Sequence, residues 1–354
     1  MLARPKTMTK KDNTPHLLIM RLSAMGDVAM TAPVVRALKE ANPDLRITML
    51  TRPFFKAFFR GIPDIDFLDP DFKGRHKGFA GIVRLYNDIG AYGITHVADL
   101  HDVLRTKILR RFLGMSGRKV AVIDKGRGEK RELTRKFRKE MCQLKPTVER
   151  YADTLRALGF KFPNPVPAEN IKYPVPQEIL DIAGEKKGAW IGVSPFAQHK
   201  GKIYPTNMTD ELIGLLAAKY GRVFVFGGGP YEKDFAECME QRHKGVVSVI
   251  GKIKLDAELD LISNLDAMVT MDSSAMHMAS LAGIPAVSVW GATHPYAGFY
   301  GFGQDPANAV QLDLPCRPCS VYGNKPCIHK DYRCLAGITP QRIADRVGSV
   351  VSEQ

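Results

Sequence analysis

Four short groups of residues carry side chains that could do chemistry, and each follows an apolar run of strand length. Asp27 lies in "RLSAMGDVAMTAPVVRALKE", directly after "HLLIM", beside the loop's only glycine, Gly26. A loop with one glycine and one acid is not the Gly-rich turn that cradles a dinucleotide. Its carboxylate reads either as an acid at a helix N-terminus, where the dipole favours it, or as a general base taking a proton from an attacking hydroxyl. The second group, "SPFAQHKGKIYP", sets Lys200 and Lys202 about a glycine. These are surface lysines or cations for a diphosphate. In the third, "GGGPYEKDFAE", Gly227, Gly228 and Gly229 either leave backbone N–H groups open to a ligand or form a plain turn. Glu232 behind them suits a helix start or ribose hydroxyls. In the fourth, "MDSSAMHMASLAGIP", Asp272 ends a strand, Ser273 and Ser274 begin a helix, and His277 lies one turn in. Hydroxyls and free N–H groups at a helix start bind anions; an N-cap serine with a packed histidine behind it is the alternative.

The elements that must position these groups alternate. "HLLIM", "RITML", "ITHVADL" and "KVAVID" read as strands, with "APVVRALKEANP" and "RTKILRRFLGM" as helices among them and "TVERYADTLRALGF" as an amphipathic helix after them. A proline-rich stretch, "KFPNPVPAENIKYPVPQ", reads as a linker. The alternation then restarts with "GAWIGVSP", "RVFVFGGG", "VVSVIG", "AMVTMD" and "AVSVWGAT" as strands. Short apolar strands alternating with helices predict parallel sheets covered on both faces. Two such units in tandem would gather the loops at their strand ends around one crevice. The expected boundaries are a disordered basic tail over 1–15, an N-terminal domain over 16–165, a linker over 166–188, a C-terminal domain over 189–340 and a final helix over 341–354.

Composition narrows the class. The 354 residues suit two domains, and 45% hydrophobic with 25% charged residues is ordinary for a globular protein. No apolar stretch is long enough to span a bilayer, and the basic start lacks the apolar region of a secretory signal. A cytoplasmic location is the expectation. Of the formal net charge of +14, a net of +10 falls between residues 101 and 150, with 16 Lys and Arg against 6 Asp and Glu. Within it "DKGRGEKRELTRKFRKE" reads as a loop in its first half. A run so concentrated suits an anionic partner as well as a solvated face. No nucleic-acid motif accompanies it, so nucleic acid is not an expected partner.

Four of the six cysteines, Cys316, Cys319, Cys327 and Cys334, form a C-x2-C-x7-C-x6-C array. In a reducing compartment that spacing suits a structural zinc, with an iron–sulfur cluster or free thiols as alternatives. The "DPD" at Asp69–Asp71 resembles a metal motif of another transferase fold but stands in a proline-rich loop, and reads as a solvated turn.

In this order, "RLSAMGDVAMTAPVVRAL", "KIYP" and "MDSSAMHMASLAGIPAVSVWGATHP" resemble glycosyltransferase family 9, the lipopolysaccharide heptosyltransferases, over about residues 16 to 340. The resemblance implies a GT-B architecture: α/β, two Rossmann-like domains with parallel sheets facing a central cleft, acceptor on the first and nucleotide sugar on the second. It implies an inverting transfer of heptose from ADP-heptose to the lipopolysaccharide inner core, with no cofactor or metal for catalysis. Carried over by residue, Asp27 is the base, with Ser23 in the same loop on the acceptor side. Lys202 balances charge on the leaving diphosphate. Gly228, Gly229 and Glu232 lie on the donor side with Glu232 at the ribose, Asp272 holds sugar hydroxyls, and Ser273, Ser274 and His277 surround the diphosphate. A lipid-linked acceptor bearing phosphates and acidic sugars would suit Lys125, Arg127, Lys130, Arg131, Arg135 and Lys136, and the same segment would suit the anionic inner face of the membrane.

Some positions depart from the family pattern. "DSSAMH" has a serine where D-T-G-x-x-H has glycine, and "KIYP" has Tyr204 where tryptophan is usual. Two alternatives stay open on sequence: a same-fold enzyme of another nucleotide sugar, and a catalytically silent protein binding anionic lipid or RNA.

Overall fold

The computed structural model describes residues 14–353. The tail expected over 1–15 lies, but for its last two residues, outside them. The chain divides into two compact units. One runs up to Lys125 and resumes over Thr147–Val166; the other takes Gly126–Pro146 and continues from Pro167.

The first unit is built on five strands, β1 (His16–Met20), β2 (Arg46–Leu50), β3 (Ile65–Leu68), β4 (His96–Asp99) and β5 (Lys119–Val122). They lie in the order β3-β2-β1-β4-β5 with every pairing parallel. All five residues of β1 are buried, as a strand covered on both faces requires. The second unit has six strands, β6 (Trp190–Ser194), β7 (Arg222–Val225), β8 (Val246–Ser248), β9 (Ala267–Met271), β10 (Ala286–Trp290) and β11 (Ala309–Gln311). Their order is β11-β10-β9-β6-β7-β8, again wholly parallel. Both are the doubly wound α/β sheets expected. Each has one switch point, between β1 and β4 and between β6 and β9, where crossovers leave in opposite directions and strand-end loops part to admit a ligand.

The apolar core of the second unit takes Leu212, Ile213 and Leu216 from the helix Thr206–Lys219 and Ile343, Val347 and Val350 from the helix Pro340–Ser352. The expected C-terminal helix is therefore part of this unit's core. The expected linker holds a helix, Gln177–Ala183, with Ile179 and Ala183 buried. The first half of the basic segment is also a helix, Arg127–Leu133, not the loop its charges and glycines suggested. A single apolar side chain, Leu133, fixes it: fully buried, it joins Leu144 and Ala297 with Phe299 against them. That contact explains why 126–146 groups with the second unit although the first was expected to hold it. Among the described residues no helix is long and apolar enough to cross a membrane.

Two histidines give the first unit an acid-sensitive interior. His16, at the start of β1, donates from Nδ1 to Tyr92 O at 2.7 Å and shares Nε2 with Thr48 Oγ1 at 2.8 Å. Burial, with Arg46 adding, pushes it down to about 4. His101 is pushed down to about 4 by burial and then by Arg21 and Lys125. Between pH 6.5 and 4 the unfolded chain binds protons that the folded one refuses, so stability falls as pH falls through that window. One histidine contributes at most about 3 kcal/mol at 1.4 kcal/mol per pH unit. Glu258, pushed up to about 7 by burial, acts in the opposite sense, its contribution declining as pH rises. The unfolding midpoint should therefore drop on going from pH 6.5 towards 4, and drop less in His16→Asn. Equal slopes in the two proteins would contradict this.

Candidate active site

Asp27 belongs to the short helix Met25–Ala29 that follows β1 at the first switch point. Its Oδ2 accepts the Ala24 N–H at 3.2 Å and forms an ion pair with Arg21. Arg21 is itself anchored: it is buried, donates from Nη1 to Leu100 O at 2.6 Å, and lies 5.8 Å from the ring centre of Tyr151. Tyr151, fully buried, donates its hydroxyl to Asp27 O at 3.2 Å. Both contacts of the carboxylate fall on Oδ2. Among the described residues Oδ1 has no partner, and the side chain is 28% exposed. One oxygen thus closes the helix start, and the other is left open.

The loop after β4 lies beside it in the sheet. Asp99, fully buried, accepts His101 N and Asp102 N on Oδ1 at 3.0 and 2.8 Å, and Arg110 Nη1 on Oδ2 at 2.7 Å. His101, uncharged at neutral pH, brings Nε2 to 3.4 Å from Ser23 Oγ. Arg21, Tyr151, Asp99 and His101 are not among the sequence-derived candidates. The signal for the last two is in "HVADLHD", an acid and a histidine at a strand end next to the switch point.

At the second switch point Lys202 meets Asp272. Lys202 closes the turn Lys200–Lys202 after β6, Asp272 follows β9, and Nζ lies 2.8 Å from Oδ2 with both side chains largely buried. The turn is fitted closely. Ala292 N donates to Gly201 O at 2.8 Å, and Gly323, at φ 74°, approaches so near that a Cβ there would come within 2.6 Å of Lys202 Cγ. Gly323→Ala would add about 1–2 kcal/mol of backbone strain and displace the lysine. The unfolding midpoint should fall by about 2–6 °C. An unaltered midpoint in calorimetry would show the close fit to be slack. Arg317, buried, pins the segment before Gly323 by donating to Gly291 O at 2.5 Å and Thr293 O at 2.9 Å.

Ser273 occupies the N-cap of the helix Ser274–Ala282 but makes no side-chain cap; its hydroxyl instead pairs with Thr270 Oγ1 at 3.1 Å. The N–H groups of the first turn are thus not capped by that side chain. His277 is buried one turn in. After β7, Glu232 Oε2 accepts the Gly228 N–H at 2.7 Å, tying the glycine turn to the helix Pro230–Arg242. A Cβ at Gly227 would come within 2.7 Å of Glu232 Oε2, so a larger residue there would move the Glu232 carboxylate. Tyr204 is an interior residue whose hydroxyl donates to Ile338 O.

The remaining candidates fall in both units. Lys125 belongs to the first unit and donates to Asp102 O at 3.3 Å; Arg127, Lys130, Arg131, Arg135 and Lys136 belong to the second. Lys130 is buried, its ammonium 4.1 Å from the ring centre of Phe299, so its place is in packing. Burial pushes the Cys334 thiol up to about 11 against the pull of Arg317, and raises Cys319, with Cys316 and Cys327 adding. All four are free thiols, and among the described residues no group of three or more His, Cys, Asp and Glu is arranged to hold a metal ion. In the "DPD" segment, Asp71 accepts N–H bonds from Lys73, Gly74 and Arg75, which makes it a turn former.

Known proteins resemble the chain along most of its length. Residues 82–329 match the model of glycosyltransferase family 9 (heptosyltransferase), a span that holds Lys202, Glu232 and Asp272. Lipooligosaccharide heptosyltransferase 2 of Campylobacter jejuni is 20% identical over 91% of this chain and 95% of its own. A family 9 glycosyltransferase from Veillonella parvula superposes with a TM-score of 0.71 at 18% identity, covering 98% of this chain and 100% of its own. The Escherichia coli ADP-heptose lipopolysaccharide heptosyltransferase II does so with a TM-score of 0.66 at 17% identity, covering 96% and 99%. The model match spans well over half the chain, and the sheets have the order such a fold requires. The protein therefore belongs to glycosyltransferase family 9, the heptosyltransferase family.

Proposed function

We propose that this glycosyltransferase moves a heptose from ADP-heptose to the inner core of a lipid A-linked lipopolysaccharide acceptor, by an inverting displacement that needs no metal. The observation that carries the reading is the division of the Asp27 carboxylate, Oδ2 held by Arg21 and Ala24 and Oδ1 open. An acceptor hydroxyl gives its proton to Oδ1 as its oxygen attacks the anomeric carbon. The bond from that carbon to the diphosphate breaks on the opposite face, and ADP leaves with the electron pair. Lys202, held by Asp272, meets the charge that develops on the diphosphate. The uncapped first turn at Ser273 and Ser274 offers further N–H donors to it, with His277 behind. Gly228, Gly229 and Glu232 form the ribose side of the donor site, and Asp272 also meets sugar hydroxyls. The names of the relatives, one of which is an ADP-heptose enzyme, support the choice of donor.

On the acceptor side we assign Ser23, Lys125, Arg127, Arg131, Arg135 and Lys136 to the phosphates and acidic sugars of the acceptor, at the cytoplasmic face of an anionic membrane. Transfer from ADP-heptose in the presence of a chelator, with the anomeric configuration of the product read by NMR, tests the reading. The expected product has the configuration opposite to the donor. Retention, a need for a divalent ion, or turnover only with another nucleotide sugar would overturn the corresponding part. For Cys316, Cys319, Cys327 and Cys334 we propose a structural zinc, on the strength of four thiols close in sequence on one segment. Metal analysis decides: stoichiometric zinc that is lost in Cys316→Ser/Cys319→Ser supports the site, and metal-free active protein removes it.

A further inference from the structure

The second half of the basic segment is a loop pinned at its neck. Leu133 and Leu144 are buried in one apolar cluster with Ala297, and Leu144 N donates to Tyr296 O at 2.9 Å. Between these two leucines the chain turns outward, and its contents are unusual for a solvated loop. Phe137 is 74% exposed and Met141 46%, and they alternate with Arg135, Lys136, Arg138 and Lys139 against one acid, Glu140. Arg135 pairs with Glu132 at 2.6 Å, and Lys139 donates to Pro315 O at 3.1 Å. Lys136 and Arg138 are exposed on either side of Phe137, with Lys136 Nζ 5.3 Å from its ring centre.

We propose that this loop docks the protein on an anionic phospholipid surface, Phe137 and Met141 entering the headgroup boundary while Lys136 and Arg138 meet lipid phosphates. The fold gains nothing from leaving a phenylalanine ring in water, whereas a neck held by two buried leucines would present that ring to a surface. Apolar insertion and cation attraction together give stable membrane attachment where one alone is marginal. A nucleic acid is the less fitting occupant, since one aromatic side chain is no stacking platform for successive bases. The inference deepens the membrane-side reading above and does not depend on the sugar transferred.

Phe137→Trp supplies the test, because Trp190 and Trp290 are fully buried and should not respond to an added surface. Vesicles of phosphatidylglycerol and phosphatidylcholine, free of any saccharide, should shift the emission of Trp at this position to the blue, while phosphatidylcholine alone should not. In co-sedimentation, Phe137→Ser/Arg138→Glu should lower partition onto the anionic vesicles by at least about tenfold. ADP affinity of that variant should be unchanged, which verifies its fold and keeps failure here separate from failure of the transferase reading. Equal partition of variant and parent, no shift on anionic vesicles, or capture of an RNA oligonucleotide in place of vesicles would each overturn the proposal.

Discussion

Asp27→Asn should abolish transfer and leave donor binding intact. The substitution keeps the shape of the side chain, and its carbonyl oxygen can still accept from Ala24 N and Arg21. Arg21 in turn keeps its bond to Leu100 O and its place beside the Tyr151 ring, so the loop after β1 should hold its form. What disappears is the ability to take a proton. Loss of a positioned general base costs about 10²–10⁴-fold in kcat. The cost should fall on kcat and kcat/KM alike, because an interaction made only as the acceptor is deprotonated does not contribute to ground-state binding. Full activity in Asp27→Asn would remove the proposed base, and the next carboxylate to consider would be Asp99. Asp99 is a poor substitute: it is fully buried, with its oxygens taken by Arg110 and two backbone N–H groups.

Lys202→Ala should have the second largest effect, and it has two parts that a further variant separates. Removing a cation that faces developing charge lowers the rate by about 10²–10³-fold. It also leaves Asp272, only 6% exposed, without its ion-pair partner. Breaking such a pair from one side costs about 3 kcal/mol of stability. Lys202→Ala/Asp272→Asn removes the stranded charge as well, so the double variant should regain most of the lost unfolding midpoint. It should not regain transfer or ADP affinity. A double variant that recovered both stability and activity would make the pair purely structural.

Much of this site is readable in the chain because strand-end chemistry is local. An apolar run, a loop and a helix start lie within twenty residues at Asp27, and the same is true at Asp272. The partnership of Lys202 with Asp272 is not readable that way, since it follows from β6 and β9 being neighbours across a switch point. Nor is the role of Tyr151, whose hydroxyl reaches Asp27 O from a helix more than a hundred residues further along. The edge strands β3 and β11 lack a sequence signal for a physical reason. They are short, and their residues are only partly buried, so no continuous apolar run marks them. The helix Arg127–Leu133 hides behind two glycines and alternating charge, with one buried leucine to hold it. The cysteine array is conspicuous by spacing, yet spacing alone does not say whether thiols converge on an ion.

The assignment of separate tasks to the two units, proton transfer to Asp27 and nucleotide binding to Lys202 and Asp272, is tested most directly by calorimetric titration of ADP-heptose without added divalent metal. The parent protein and Asp27→Asn should bind it with the same affinity, and Lys202→Ala should bind it at least about tenfold more weakly. Loss of binding in Asp27→Asn with full binding in Lys202→Ala would contradict that division.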